Sequence, residues 1–226
     1  MAEKITQGIC LFYQQTGENE FIVHFLFDTG LKSFFAQGLT KPLSKNRSNL
    51  ISGSICEIEY FGSRLNDKIG RLKKSNLIKL PNIENFANKK TITRLIELFY
   101  NVKSKNDLII LYNDFIEKLG HCKNAVILSI FLARSTIFLA IAPNFKSCTV
   151  CHKSNQIVQF DLTQGGFLCY EHQVAVKFKS SVTIQEWFLL FNEPLKYFEV
   201  ISKSNNIEIL NLLLAFYRDN GYYFNW

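Results

Sequence analysis

Phe21–Gln37 reads FIVHFLFDTGLKSFFAQ, and this stretch decides the amino-terminal half of the chain. Phe21–Phe27 is a dense β-branched and aromatic run, the composition of a strand. Asp28-Thr29-Gly30 closes it as a turn, and Leu31–Gln37 is its returning hairpin partner. Both faces of FIVHFLF are apolar, so this strand is buried on two sides. Working outward, Ile5–Tyr13 is a strand ended by Gln14–Asn19. Ser54–Phe61 and Ile69–Leu80 are two more, joined by a Leu65-Asn66-Asp67 turn. Five short antiparallel strands in about 80 residues suit a small barrel of the OB type.

Pro81 marks a boundary, because the period of the pattern changes after it. Ile92–Val102 and Leu108–Leu119 have helical spacing, with Leu108, Leu111, Tyr112, Phe115 and Leu119 on one stripe. Asn106-Asp107 supplies an N-cap and Gly120 a stop. Helices resume over Ile184–Phe191, Leu195–Ser202 and Ile207–Arg218. The expected fold class is therefore α+β. Residues 1–80 form a small antiparallel β-barrel (OB-fold) that binds nucleic acid. Residues 81–226 form an α-helical domain with an embedded zinc-ribbon knuckle at 146–177.

Composition bounds the function. Of 226 residues, 47% are apolar and 20% charged, which excludes a disordered chain. Lys and Arg number 26 against 19 Asp and Glu, a net charge of +7, and this favours a polyanionic partner. The many Phe, Ile, Asn and Lys residues read as a general compositional bias. Met1–Ile9 has no apolar core of a secretory signal. Six cysteines in such a chain do not read as a secreted disulfide framework, so the cytosol is the expected compartment. Ala125–Ala142 (AVILSIFLARSTIFLAIA) touches the length of a membrane span. A central Arg costs about 2.5–3.5 kcal/mol on insertion. With Arg134 at its middle, the segment reads as the central buried helix of a helical domain, with Arg134 paired inside the bundle.

The strongest chemical signal is two pairs, Cys148-Thr149-Val150-Cys151 and Cys169-Tyr170-Glu171-His172. Residues 152 to 168 separate them, within the spacing of roughly 15–20 residues that zinc ribbons use. Each pair makes a tight knuckle presenting two ligands. The polar turn Lys153-Ser154-Asn155, a strand over Gln156–Leu162 and Gly165-Gly166 make the hairpin that brings the knuckles together. Cys148, Cys151, Cys169 and His172 match a closed structural Zn2+ site. His152 is the alternative fourth ligand, although its place beside Cys151 would strain the knuckle. Cys10, Cys56 and Cys122 read as core residues, His24 as a core or edge histidine, and His121 as a surface residue.

Four ligands leave no open position for catalysis at the metal. Deaminase, HExxH, Walker, GxGxxG and nucleophile-elbow motifs are absent. Glu57 and Glu59 share a strand face without an acid or base partner. The chain is not expected to be an enzyme.

Two basic groups remain. Lys41, Lys45 and Arg47 lie in a connection with no acid between Asp28 and Glu57. Arg64, Lys68, Arg71, Lys73 and Lys74 form the second group, opposed only by Asp67 in the local sequence. Together they are expected to line one groove over the barrel and meet phosphates. Phe25, Phe27, Phe34 and Phe35 offer stacking planes for bases, although most of them suit the barrel core better.

A basic barrel followed by a helical domain interrupted by a C-x-x-C…C-x-x-C/H knuckle resembles the bacterial recombination mediator family RecO. The matching residues are Gly8, Glu18, Asp28-Thr29-Gly30, and Gly38 followed by Lys41–Ser44. In the second half they are Ala140–Pro143 before Cys148, Gly165-Gly166-Phe167 before Cys169, and the terminal helix. The family usually has Cys, or nothing, at position 172, and often a basic residue where this chain has Leu39-Thr40. The resemblance implies a non-catalytic protein of DNA repair, cytoplasmic and associated with the nucleoid. It implies binding of single- and double-stranded DNA, strand annealing, pairing with RecR, and help in loading the recombinase RecA. The helical domain would offer an apolar groove to the acidic, Phe-ended C-terminal tail of single-strand-binding protein. Two other readings stay open. One is a zinc-ribbon RNA or ribosome-associated factor. The other is a structural adaptor whose charge only aids solubility.

Overall fold

The structure is a computed structural model that describes residues 3–41, 44–63, 69–121, 123–175, 180–224 and 226. Of residue 45 only the backbone is described. The chain divides into two compact units, residues 1–122 and 123–226.

The first unit is a closed barrel. Its strands are β1 (Glu3–Gln15), β2 (Glu20–Phe27), β3 (Gly30–Gln37), β4 (Ile55–Phe61) and β5 (Gly70–Lys79), and they close in the order β1-β2-β3-β5-β4. The expected β2–β3 hairpin is present, with Ile22 opposite Phe35 and Leu26 opposite Leu31. Gly30 takes φ +103°, and a Cβ there would strike the Lys103 carbonyl, so only glycine fits this turn. Not all pairs are antiparallel as expected. β3 and β5 run parallel and pair at Phe34–Gly70 and Phe35–Arg71. A closed ring of five strands cannot alternate direction throughout, so one seam must be parallel. The turn expected at Leu65-Asn66-Asp67 lies outside the described residues, as do Arg64, Lys68 and Cys122.

Alternation sorts the strand residues by face. Phe21, Val23, Phe25, Phe27, Phe34 and Ala36 fill the barrel with Cys10, Cys56, Ile58, Tyr60 and Leu72. Phe25, Phe27 and Phe34 are thus core residues and offer no face to a base; Phe35 alone of the four is exposed. The second face of β2 is buried as well. His24 packs its ring against Phe12 at 4.5 Å and Tyr100 at 5.5 Å.

Tyr100 ends α2 (Phe86–Tyr100), which starts earlier than the periodicity predicts because the Asn85 side chain accepts from the Ala87 N–H at 2.7 Å. α3 (Leu108–Phe115) continues as a 3-10 turn over Ile116–Lys118. The Tyr112 hydroxyl donates to the Gly53 carbonyl at 2.7 Å. α2 and α3 therefore belong with the barrel, and the unit ends at residue 122, well beyond the change of secondary structure at Pro81. The Lys41–Arg47 connection also holds a short helix, α1 (Lys45–Asn49). It is fastened over β5, with the Ser75 N–H donating to Asn46 Oδ1 at 2.9 Å and Asn49 Nδ2 to the Ser75 carbonyl at 2.6 Å.

The second unit is built around α4 (Asn124–Phe138), which is buried on nearly every side from Val126 to Ala133. That is the pattern of a central helix. Among the described residues no helix is long and apolar enough to cross a membrane. The Arg134 guanidinium lies 5.8 Å from the centre of the Phe138 ring, and the side chain is half-buried. α5 (Ile184–Asn192), α6 (Pro194–Val200) and α7 (Lys203–Asp219) pack around it. α5 begins with a reciprocal capping box between Thr183 and Glu186. The Tyr217 hydroxyl of α7 donates to the Leu132 carbonyl at 2.8 Å. A two-stranded ribbon, β6 (Ile157–Asp161) and β7 (Gly166–Cys169), is inserted between α4 and α5. Phe160 of β6 stacks on Trp187 at 4.4 Å.

Candidate metal centre and nucleic-acid interface

The ribbon brings the two cysteine pairs together. At the first knuckle the Cys148 N–H donates to the Lys153 carbonyl at 2.9 Å, and the His152 N–H donates to the Cys148 carbonyl at 3.0 Å. His152 closes this turn at φ +60° and is exposed. At the second knuckle Cys169 ends β7 and a 3-10 turn over Tyr170–His172 follows. Gly166 at φ +132° permits the close approach of Asn144, whose backbone a Cβ would strike.

The donor atoms of Cys148, Cys151, Cys169 and His172 lie within 4.8 Å of one another. Cys151 and Cys169 sulfurs are 3.8 Å apart. His172 Nδ1 is 3.2 Å from Cys169 Sγ and 3.8 Å from Cys148 Sγ. A tetrahedron with Zn–S bonds of about 2.3 Å has a sulfur–sulfur edge of about 3.8 Å. The donor set and its spacing fit Zn2+, and the fourth donor in the group is His172, not His152. Burial pushes the Cys148 thiol up, but the N–H groups of Cys151, Cys169 and Val150 outweigh it and hold this thiol at about 6. At Cys151 the Lys153 N–H favours the thiolate, while burial and the neighbouring sulfurs prevail and raise it.

The basic residues of the barrel fall into two sets. Arg71 Nη2 donates to Gln37 Oε1 at 2.8 Å. Arg47 Nη1 donates to the Thr40 carbonyl at 3.4 Å. Lys41 lines an open polar groove of about 520 Å3 with Asn19, Gln37, Gly38 and Ser44. Lys41, Arg47 and Arg71 are thus brought together around the end of β3, and all three are exposed. The second set is engaged by acids. Lys73 Nζ lies 2.6 Å from Glu3 and 3.3 Å from Glu59, and Lys74 lies 4.0 Å from Glu59. The hydrogen bond to Lys73 holds Glu3 below the usual carboxylate range, and the same bond raises Lys73.

Residues 1–81, which contain this barrel, match the family model described as Recombination protein O N terminal. The match extends beyond the barrel as a resemblance to whole RecO proteins. The chain is 26% identical over 180 residues to the DNA repair protein RecO of Bacillus cytotoxicus, covering 76% of this chain and 71% of that protein. Identity to the RecO proteins of Bacillus cereus and Bacillus anthracis is 24% over the same length and shares.

Two placements in the chain are not given by any local stretch of sequence. The acids facing Lys73 and Lys74 come from β1, far away in sequence, and from the neighbouring strand β4. The signal was present in Glu59, whose outward-facing place on β4 is opposite Lys74, but only a register exposes it. The second is a groove of about 970 Å3 in the carboxy-terminal unit. Phe160, Trp187, Leu212 and Phe216 line it, with Asp161 and Asp219. Its walls come from β6, α5 and α7, which no local pattern brings together.

Proposed function

We propose that this chain is a non-catalytic DNA-binding mediator of recombination and repair, acting as RecO proteins do. Its closed five-stranded barrel, read as an OB-fold, binds single- and double-stranded DNA through the backbone. One observation carries this reading. Lys41, Arg47 and Arg71 converge at the end of β3, within the region matched to the RecO family, and the sequence from Thr29 to Cys56 contains no acid. Phosphate contacts of this kind attract any sequence and release counterions. Lys45, Arg64 and Lys68 belong to the same basic stretches of sequence, while Lys73 and Lys74 contribute less because Glu3 and Glu59 already hold them.

Cys148, Cys151, Cys169 and His172 would hold a structural Zn2+ ion. Such an ion supplies cross-linking of the two knuckles and no open coordination position. Annealing, recombinase loading and pairing with RecR follow from the same kinship. Contact with the tail of single-strand-binding protein follows from that kinship too, but the aromatic groove beside Trp187 carries Asp161 and Asp219 and is not the surface for an acidic segment.

The test is a binding comparison of single-stranded DNA, duplex DNA and structured RNA at several salt concentrations. DNA binding that weakens steeply with salt supports the proposal. Preference for structured RNA would favour the RNA-associated reading, and no retention at about 50 mM salt would favour the adaptor.

A further inference from the structure

The outer face of the barrel carries a row in which one of the phosphate-facing cations has apolar neighbours. Ile22, Phe35, Arg71 and Phe61 stand opposite one another on β2, β3, β5 and β4. Phe35 is 44% exposed. A single exposed Phe needs no explanation. Here, however, the register partner of Phe35 across the seam is an arginine whose guanidinium is fixed by Gln37, two residues further along the same face of β3. Among the described residues the Phe35 ring has no aromatic partner, whereas Phe25, Phe27 and Phe34 pack on one another in the core.

Charge limits the occupant. The acids that flank the row are turned elsewhere. Glu3, opposite Phe61, is bound to Lys73. Glu20, opposite Gln37, turns its Oε2 toward Gly17, 3.2 Å from where a Cβ would stand. An aromatic plane beside a cation, next to the Lys41 groove, is complementary to a π-face linked to a phosphate. Unpaired bases stack on such rings whatever their sequence, and duplex DNA hides those faces.

Resting on the nucleic-acid reading above, we propose that Phe35 is the stacking platform for an unpaired base, with Arg71 positioned by Gln37 on the adjoining phosphate. Phe35 then sets the preference for single strands, and the lysines and arginines set the general affinity.

The experiment uses the full chain and three probes: an oligothymidylate, an abasic oligodeoxynucleotide of equal length, and a duplex. For Phe35→Ala, affinity for the oligothymidylate should fall about tenfold, in the range of alanine replacements at stacking sites. Affinity for the abasic strand and the duplex should change less than about twofold, since neither presents an accessible base face. Phe35→Trp should retain oligothymidylate binding. Unchanged oligothymidylate binding by Phe35→Ala overturns the proposal, and so does an equal loss on all three probes. If the wild-type chain binds none of them, the nucleic-acid reading itself falls, an outcome separate from the failure of Phe35 alone.

Discussion

Asn106 Nδ2 donates to the Phe27 carbonyl at 3.0 Å. The same buried residue gives its N–H to the Asp28 carbonyl at 2.7 Å and accepts from the Leu108 N–H at 3.1 Å. One amide thus starts α3 and pins the end of the β2–β3 hairpin. Asn106→Ala keeps the backbone bond to Asp28 but strands the Phe27 carbonyl and the Leu108 N–H in the interior, at a cost of about 2–3 kcal/mol. Hydrogen exchange of the Leu108 and Gly30 amides should accelerate correspondingly. Unchanged protection would show that the clasp is redundant.

Removing the metal ligands should affect one unit. Trp187 reports that unit because Phe160 of the ribbon stacks on it. Cys148→Ser should lose bound zinc and lower the thermal midpoint seen in tryptophan emission. A loss of only about 2 kcal/mol would lower it by roughly 10 °C in a unit of this size. Exchange protection in the barrel should stay as it was. Wild-type metal content with an unaltered midpoint would reject the centre.

The two sets of basic residues should separate in their salt dependence. Replacing Lys41, Arg47 and Arg71 together with Ala should reduce the log–log salt slope of DNA binding by about 2–3, one unit or slightly less for each phosphate. Lys73→Ala should move the slope less, because its ammonium already faces two carboxylates. Equal effects would place Lys73 on the DNA.

His24 should make the barrel sensitive to mild acid. Burial lowers its pKa, and the Lys103 charge lowers it further. Nδ1 bonds Ser33 at 2.8 Å, while buried Nε2 has no hydrogen-bond partner among the described residues. The unfolded chain therefore takes up a proton before the folded one. Stability is at its full value above the unfolded pKa of about 6.5, falls as the pH drops below it, and levels off below the depressed folded value. Around the ring stand Phe12, Ser33 and Tyr100, and the charge it feels is that of Lys103. In urea titrations from pH 7.5 to 5, followed by exchange in β2, roughly this decline should be seen in the wild type and flattened in His24→Gln. Parallel curves would assign the acid sensitivity to other groups.

Much of this architecture was legible because it is encoded locally. FIVHFLF, the Asp28-Thr29-Gly30 turn and the two knuckle pairs each announce their element within a few residues, and the metal group formed from the four residues first singled out. What was not legible depends on pairing between distant segments. The parallel seam follows from closing the ring, the retention of α2 and α3 by the barrel follows from Asn106 and Tyr112, and the quenching of Lys73 follows from strand register. Phe35 could not be told from Phe34 by composition. The pleat separates them, placing one in the core and its neighbour in solvent.

The short parallel seam between β3 and β5 has a mechanical meaning. Among the described residues it joins at only two positions, the Phe35–Arg71 pair itself and Phe34–Gly70 beside it. A bracelet parts at its clasp, and here the clasp lies under the fingertips that would hold the cargo. With so few pairs holding it, a substitution at Phe34 or Gly70 reaches the ring and the guanidinium before it reaches the longer hairpins.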